Sequence, residues 1–335
     1  MYPWEKLDNA ALQSLRFRDL GLRLESSLIW PEVQALYTEL ERRDIRFKPH
    51  VWLSTEWFSP DGVPGIAVPY FAAHRRLQRL ERSMMDEVEG GSSRWRLRIL
   101  RHEAGHALDT AFGLRRRAAW REVFGPASKP YPRDYWVRPG SRGHVLHLGH
   151  WYAQSHPTED FAETFAVWLQ PKARWRREYA GWPALRKLEY VDLLMRELAG
   201  CRARNSDRSV LAPLDQNNRS LGEHYRRKRR ALSRAERRYD AWLKSAFVSA
   251  SVSPRAVPAS RLIRELRPKL RLTLLARSSA GPYLVDHAID TIRQRVRQLD
   301  LVAPGRRRDS ERLVAALLER VIGDVLRRNR EKYVI

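Results

Sequence analysis

A single segment constrains the fold more than any other. Residues 95–112 have apolar positions at helical spacing and predict a long helix, and His102-Glu103-Ala104-Gly105-His106 lies within it. Residues four apart share one helical face, so both imidazoles can reach one metal ion. A carboxylate at Glu103 can take a proton from an activated water and pass it to a leaving amine. Because catalytic zinc usually has three protein ligands, a second element must bring the third to this helix.

The second element is predicted at residues 157–169, an amphipathic helix that ends before Pro171. Glu159 and Glu163 lie one turn apart on a shared face of this helix. We predict that Glu159 is the third metal ligand. Glu163 is predicted to accept a hydrogen bond from the far nitrogen of a ligand histidine. Two alternatives stay open at this point: that Asp160 or Glu163 replaces Glu159 as the ligand, and that these acids form an ordinary solvated helix face.

Further candidates lie near these two helices. Asp109, one turn after His106, either braces the metal site or is a surface residue near a helix end. His144, His147 and His150 recur every three residues, and we interpret them as loop histidines satisfied by hydrogen bonds rather than as a second metal site. Prolines and glycines interrupt residues 113–155, which predicts loops that shape a cleft.

Three pieces of the sequence, in the same order, resemble the glutamate-zincin families that include the Mlc titration factor and anthrax lethal factor. These pieces are His-Glu-Ala-Gly-His-Ala-Leu-Asp at 102–109, Tyr152, and Pro-Thr-Glu-Asp-Phe-Ala-Glu at 157–163. Residues 156–166 also resemble bacterial proteins called putative zinc-binding metallopeptidases. The resemblance covers residues 95–169. One departure is Asp160, where the toxin-like families favour an aromatic residue.

The resemblance implies a zincin-like core and a zinc-dependent peptidase acting on protein or peptide substrates. It implies that His102, His106 and Glu159 bind Zn²⁺ and that Glu103 is the general base. It further implies that Tyr152 donates a hydrogen bond to the tetrahedral oxyanion.

The fold class predicted from the pattern as a whole is α+β and predominantly helical. Residues 47–54 and 65–68 read as two strands, so a small sheet is expected before the helix that carries the histidines. Pro49 indicates an edge strand or its first residues. We predict a peptidase domain at residues 1–200 and a basic, mainly helical region at residues 201–335.

The positive charge is concentrated in the C-terminal region. The chain carries a net charge of +24, and residues 201–335 hold 32 Lys and Arg against 14 Asp and Glu. Such a region attracts polyanions, whether nucleic acid or an acidic protein, unless the charges simply form solvated helix faces. A polyanion is therefore a candidate second partner.

The remaining features bear on location and on the alternative function. Cys201 is the single cysteine and cannot form an internal disulfide. No signal peptide and no membrane-spanning segment are apparent, so the expected location is cytoplasmic. The alternative to a peptidase is a nucleic-acid or protein-binding module with a structural or non-catalytic zinc site. Glu103 discriminates between the two, because a structural site needs no base beside its ligands.

Overall fold

A computed structural model describes residues 2–85, 88–131, 134–138, 140–149, 151–235, 239–253, 256–277, 282–304, 307–328 and 331–334. The helices are, in chain order, α1 (Asn9–Ser14), α2 (Trp30–Glu41), α3 (Arg75–Met85), α4 (Ser93–Phe112), α5 (Ala118–Phe124), α6 (Pro157–Leu169), α7 (Trp175–Glu178), α8 (Ala184–Leu198), α9 (Leu221–Ala235), α10 (Asp240–Ala246), α11 (Ala259–Arg277), α12 (Pro282–Gln298) and α13 (Arg307–Arg328). The strands are β1 (His50–Ser54), β2 (Gly65–Pro69), β3 (Asp134–Val137), β4 (Val248–Ser249), β5 (Leu301–Val302) and β6 (Glu331–Val334).

Helices dominate the described ranges, and the strands form two-stranded sheets of β1 with β2, β3 with β6, and β4 with β5. The predicted α+β, predominantly helical class is confirmed. The two helices predicted around the candidate ligands are α4 and α6. Residues 201–335, predicted to be mainly helical, contain helices α9 to α13.

The small sheet predicted before the histidine helix is present, and its two strands are parallel. Val51 pairs with Ile66 and Leu53 pairs with Val68. Pro49 lies directly before β1, where its missing N–H removes no ladder hydrogen bond. All residues of β2 are buried, and β2 packs against α4, so the sheet supports the helix that carries the candidate ligands.

Two buried ion pairs connect α4 to α2. The Arg101 guanidinium donates to both carboxylate oxygens of Glu39, at 2.7 Å each. One turn earlier, Arg96 donates to Glu32 through Nε and Nη2. All four side chains are buried. Because Arg101 directly precedes His102, the bidentate pair with Glu39 fixes the position of α4 next to the candidate site.

The chain divides into two compact units. The first contains residues 1–134 and 141–227, and the second contains residues 135–140 and 228–334. In the second unit α11, α12 and α13 pack together through a buried apolar face that includes Ile263, Ile292 and Leu318. The division into a peptidase domain at residues 1–200 and a basic, mainly helical region at residues 201–335 stays a prediction. Within the described ranges, no helix combines the length and apolarity needed to cross a membrane.

Candidate metal centre

Helix α4 places two imidazoles side by side. Ser92 caps its N-terminus by accepting a hydrogen bond from Trp95 N at 3.3 Å, and Gly113 ends it at a φ of 65°, a conformation that favours glycine. His102 and His106 therefore lie one turn apart on the same face. Their Nε2 atoms are 3.1 Å apart. If both nitrogens carried a proton at this distance, the two N–H groups would repel each other. The arrangement instead suits two lone pairs that share one cation.

Helix α6 brings the third donor. The Oε2 atom of Glu159 lies 3.0 Å from Nε2 of His102 and 3.1 Å from Nε2 of His106. Two ligand atoms each about 2.0 Å from a tetrahedral ion stand roughly 3.3 Å apart, so these three donors are spaced as a zinc site requires. The donor set of two imidazoles and one carboxylate also fits zinc. Among the described residues, His102, His106 and Glu159 form the cluster suited to holding a metal ion.

Gly105 allows the two helices to approach closely enough for this contact. A Cβ atom at Gly105 would lie 2.9 Å from Cα of Ala162 and 3.2 Å from Cδ1 of Phe165. Any larger residue would push α6 away from α4, and Glu159 would move with it.

Glu163 contacts the other side of the His102 ring. His102 Nδ1 lies 2.8 Å from Oε1 of Glu163, and the backbone N–H of Leu148 donates to Oε2 at 2.8 Å. The carboxylate thus leaves Nε2 of His102 as the atom that faces the cluster. Glu163 lies where the sequence analysis expects a carboxylate that orients a ligand histidine.

Asp160 faces away from the cluster. Lys187 Nζ donates to its Oδ2 atom at 2.6 Å and also to the carbonyl of Gly143 at 2.6 Å. Burial raises the pKa of Asp160 to about 7, and the positive charge of Lys187 opposes this rise. Of the three acids considered from the sequence, Glu159 is the one within reach of both imidazoles.

Tyr131 is a contact that the sequence analysis did not identify. Its hydroxyl donates to Oε1 of Glu159 at 2.8 Å and is hydrogen-bonded to Oγ1 of Thr158. The ring stacks on His156 with centroids 3.9 Å apart, and His156 accepts a hydrogen bond from the N–H of Thr158 at the start of α6. The two oxygens of Glu159 therefore have separate roles, since Oε2 faces the imidazoles and Oε1 is bound by Tyr131.

Glu103 and Tyr152 lie beside the cluster. Glu103 is buried, and its charge interacts with those of His102, His106 and Glu159. Burial raises the pKa of Glu103, and the neighbouring imidazoles partly oppose the rise. Tyr152 begins a short 3₁₀ helix, Tyr152–Gln154, and its ring centroid is 5.6 Å from that of His102.

The protein groups alone already form a strongly coupled set of charges. Burial lowers the pKa of His102, but its hydrogen bonds to Glu159 and Glu163 outweigh burial and raise it well above the ordinary value. Burial raises the pKa of Glu159, but the His106 charge and the hydrogen bonds from both imidazoles hold it well below the ordinary value. The carboxylate is therefore ionised and ready to bind a cation.

Asp109 is fully buried, and its carboxylate binds Arg115. Arg115 donates from its backbone N at 2.8 Å and from Nε at 2.5 Å. A second donor of Arg115, Nη1, binds Asp61 at 2.8 Å. Asp109 thus connects the end of α4 to the segment that follows it, and its side-chain hydrogen bonds do not go to an imidazole.

The histidines before Tyr152 have other contacts. His147 is buried, its Nε2 lies 3.0 Å from the carbonyl of Arg98, and burial lowers its pKa to about 4. Burial also lowers the pKa of His144 to about 4, and this ring lies 3.8 Å from Asp160. His150 lies outside the described residues.

Residues 74–225 match the model of a family described as "Putative zinc-binding metallo-peptidase". No curated protein and no solved structure matches the chain. The matched segment runs from the residue before α3 to the first turns of α9 and contains both α4 and α6. The segment that matches the family model therefore contains the cluster of His102, His106 and Glu159.

Proposed function

We propose that the chain is a zinc-dependent peptidase in which His102, His106 and Glu159 bind the metal. The observation that carries the proposal is the convergence of three donor atoms from two helices on one point, within the segment that matches the zinc-binding metallo-peptidase model. A zinc ion bound there would lower the pKa of a water molecule to about 7 and polarise a substrate carbonyl.

Two side chains of this chain would act on the reacting groups. Glu103 would accept the proton of the attacking water and transfer it to the amine that leaves. Its buried position beside the imidazoles supports this role. Tyr152 donates a hydrogen bond to the negative oxygen that develops on the substrate carbonyl. The ring contact of Tyr152 with His102 supports this role.

Two further residues would position the ligands. Glu163 holds His102 in one ring orientation through Nδ1, and Tyr131 holds Glu159 through Oε1. With Oε1 engaged, Glu159 offers a single oxygen to the metal. One coordination position would then be left open for water.

The Glu103→Gln variant distinguishes a peptidase from the alternative, which is a binding module with a structural zinc site. Glu103→Gln keeps the size of the side chain and removes the base. We expect zinc content to stay near that of the parent, while hydrolysis of a quenched peptide library falls by a factor on the order of 100 or more. Glu189→Gln, which removes an exposed carboxylate on α8, is the matched control and should hydrolyse like the parent.

Equal hydrolysis by the parent and Glu103→Gln would end the peptidase proposal. Metal analysis of the purified chain tests the site independently. We expect zinc in the parent and its loss in His106→Ala. A zinc-free parent that takes up no added zinc would remove the metal site itself.

Polyanion binding by residues 201–335 is a separate proposal that rests on their charge. Its expected signature is a gel shift of nucleic acid that weakens steeply as salt rises. The absence of any shift at low salt would refute it for nucleic acid.

A further inference from the structure

A cavity lined by three arginines lies beyond the C-terminal end of α4, among residues of the segment that follows this helix. Its volume is about 330 Å³, and its lining residues are Arg115, Arg116, Arg121, Ala127 and Ser128. The volume lies at the small end of the range for ligand pockets, roughly 300–1,000 Å³, so it can hold one small polar group. The lining offers guanidinium groups and one hydroxyl, which are donors suited to an anion.

The three arginines differ in how their charges are balanced. Arg115 is paired with Asp109 and Asp61. Arg116 and Arg121 are exposed, and the described residues supply neither with an acidic partner. Like charges that converge on one cavity repel each other, and a bound anion would relieve that repulsion. Arg116 and Arg121 thus give the cavity a positive charge that would attract an anion.

The position of the cavity connects it to the metal centre along two paths. Arg115 binds Asp109, which follows His106 on α4 with a rise of about 4.5 Å. Ala127 and Ser128 belong to the loop that continues to Tyr131, whose hydroxyl binds Glu159.

We propose that this cavity binds a carboxylate of the peptide substrate close to the scissile bond. The inference rests on the proposed function, because it treats the cavity as a subsite of that same metal centre. In an extended peptide each residue spans about 3.3 Å, so the carboxylate would belong to a residue a few positions from the scissile bond or to a nearby C-terminus. The carboxylate comes from an acidic side chain or from the C-terminus of the peptide, and bidentate arginine contacts suit both.

The test is a binding measurement that does not depend on turnover. Zinc-loaded Glu103→Gln protein is titrated with fluorescein-labelled peptides at physiological salt, which screens general attraction to a basic chain. Three otherwise identical peptides are compared: one with Glu and an amidated C-terminus, one with Gln and a free C-terminus, and one with Gln and an amidated C-terminus. We expect at least one carboxylate peptide to bind about fivefold or more tightly than the neutral peptide, as two partly exposed ion pairs allow.

Arginine variants test whether the preference for a carboxylate arises at the cavity. Arg116→Gln with Arg121→Gln should abolish the preference for the carboxylate. Arg75→Gln with Arg79→Gln removes two exposed charges from α3, outside the cavity, and is the matched control that should retain the preference.

A carboxylate preference that survives Arg116→Gln with Arg121→Gln would overturn the inference, and two other outcomes would do the same. One is equal affinity for all three peptides. The other is an equal loss of preference in both double variants, which would assign the effect to the charge of the whole chain. Failure of the parent to hydrolyse any peptide would instead refute the proposed function, and the binding comparison would still decide whether the cavity binds a carboxylate.

Discussion

Tyr131→Phe removes a single hydroxyl from the candidate metal centre and keeps the ring that stacks on His156. The hydroxyl makes two hydrogen bonds, one to Oγ1 of Thr158 and one to Oε1 of Glu159 at 2.8 Å, and the second is the one that holds the candidate ligand. Hydrogen bonds to charged groups contribute about 1.5–3 kcal/mol. Because Tyr131 is 49% exposed, water can replace part of this contact, and we expect a loss nearer to about 1.4 kcal/mol. That value corresponds to about a tenfold weaker zinc affinity.

The assay is competition for zinc with a chromophoric chelator, supported by the absorption spectrum of the cobalt-substituted protein. In Tyr131→Phe, Oε1 of Glu159 is no longer hydrogen-bonded to the tyrosine and becomes available to the metal. We therefore expect a change in the absorption bands of bound cobalt as well as weaker zinc binding. Tyr190→Phe is the matched control, because the Tyr190 hydroxyl is buried and has no hydrogen-bond partner within the described ranges. Zinc affinity of Tyr131→Phe equal to that of the parent would refute the positioning role.

Three further predictions concern the supports of the site and of the first unit. Gly105→Ala places a Cβ 2.9 Å from Cα of Ala162. Overpacking costs about 1–3 kcal/mol and the gain in helix propensity offsets about 1 kcal/mol, so the unfolding free energy measured in urea should fall by up to about 2 kcal/mol, and a more stable variant would contradict the close packing. Glu163→Gln weakens the support of His102 Nδ1 and should reduce zinc affinity about tenfold in the chelator assay, whereas unchanged affinity would show that the ring needs no carboxylate. Burial raises the pKa of Asp192, but hydrogen bonds from neighbouring Trp and Arg side chains outweigh it and lower the pKa. Stability from this carboxylate is therefore present above its unfolded pKa of about 3.9 and is lost as the pH falls through the lower folded value. Asp192→Asn should destabilise the chain in urea at pH 7 by about 1–2 kcal/mol, and by progressively less below pH 4; a constant difference would refute the assignment.

The parts of the site that sequence reasoning predicted are those carried by helical periodicity. His102 and His106 face the same side because residues four apart do so in any α-helix, and Glu159 and Glu163 follow the same rule on α6. The geometry also distinguishes their contacts, with Glu159 facing both Nε2 atoms and Glu163 facing Nδ1 of His102. Adjacent residues on a helix point about 100° apart, so Glu159 and Asp160 are not expected to face α4 together, but the repeat alone does not say which of them does. The distances from Glu159 to both imidazoles distinguish the two.

The parts that could not be predicted lie where the chain has no repeat. Tyr131 lies in a loop broken by prolines, and no periodicity links it to Glu159. The partner of Asp109 is Arg115, which lies beyond the glycine that ends α4, so no helical spacing relates the two. The parallel pairing of β1 and β2 also depends on the course of the connecting segment and not on the strand sequences.

The bidentate contact between Arg101 and Glu39 has a consequence for how a metal would bind. Turning α4 about its axis would swing the imidazole of His102 and, at the same time, separate a buried guanidinium from its carboxylate. Breaking a buried pair of this kind costs about 3–5 kcal/mol, so the histidine helix is fixed in its rotational setting before any ion arrives. Metal uptake should therefore be a local event that leaves the far-ultraviolet circular dichroism spectrum of the chain unchanged.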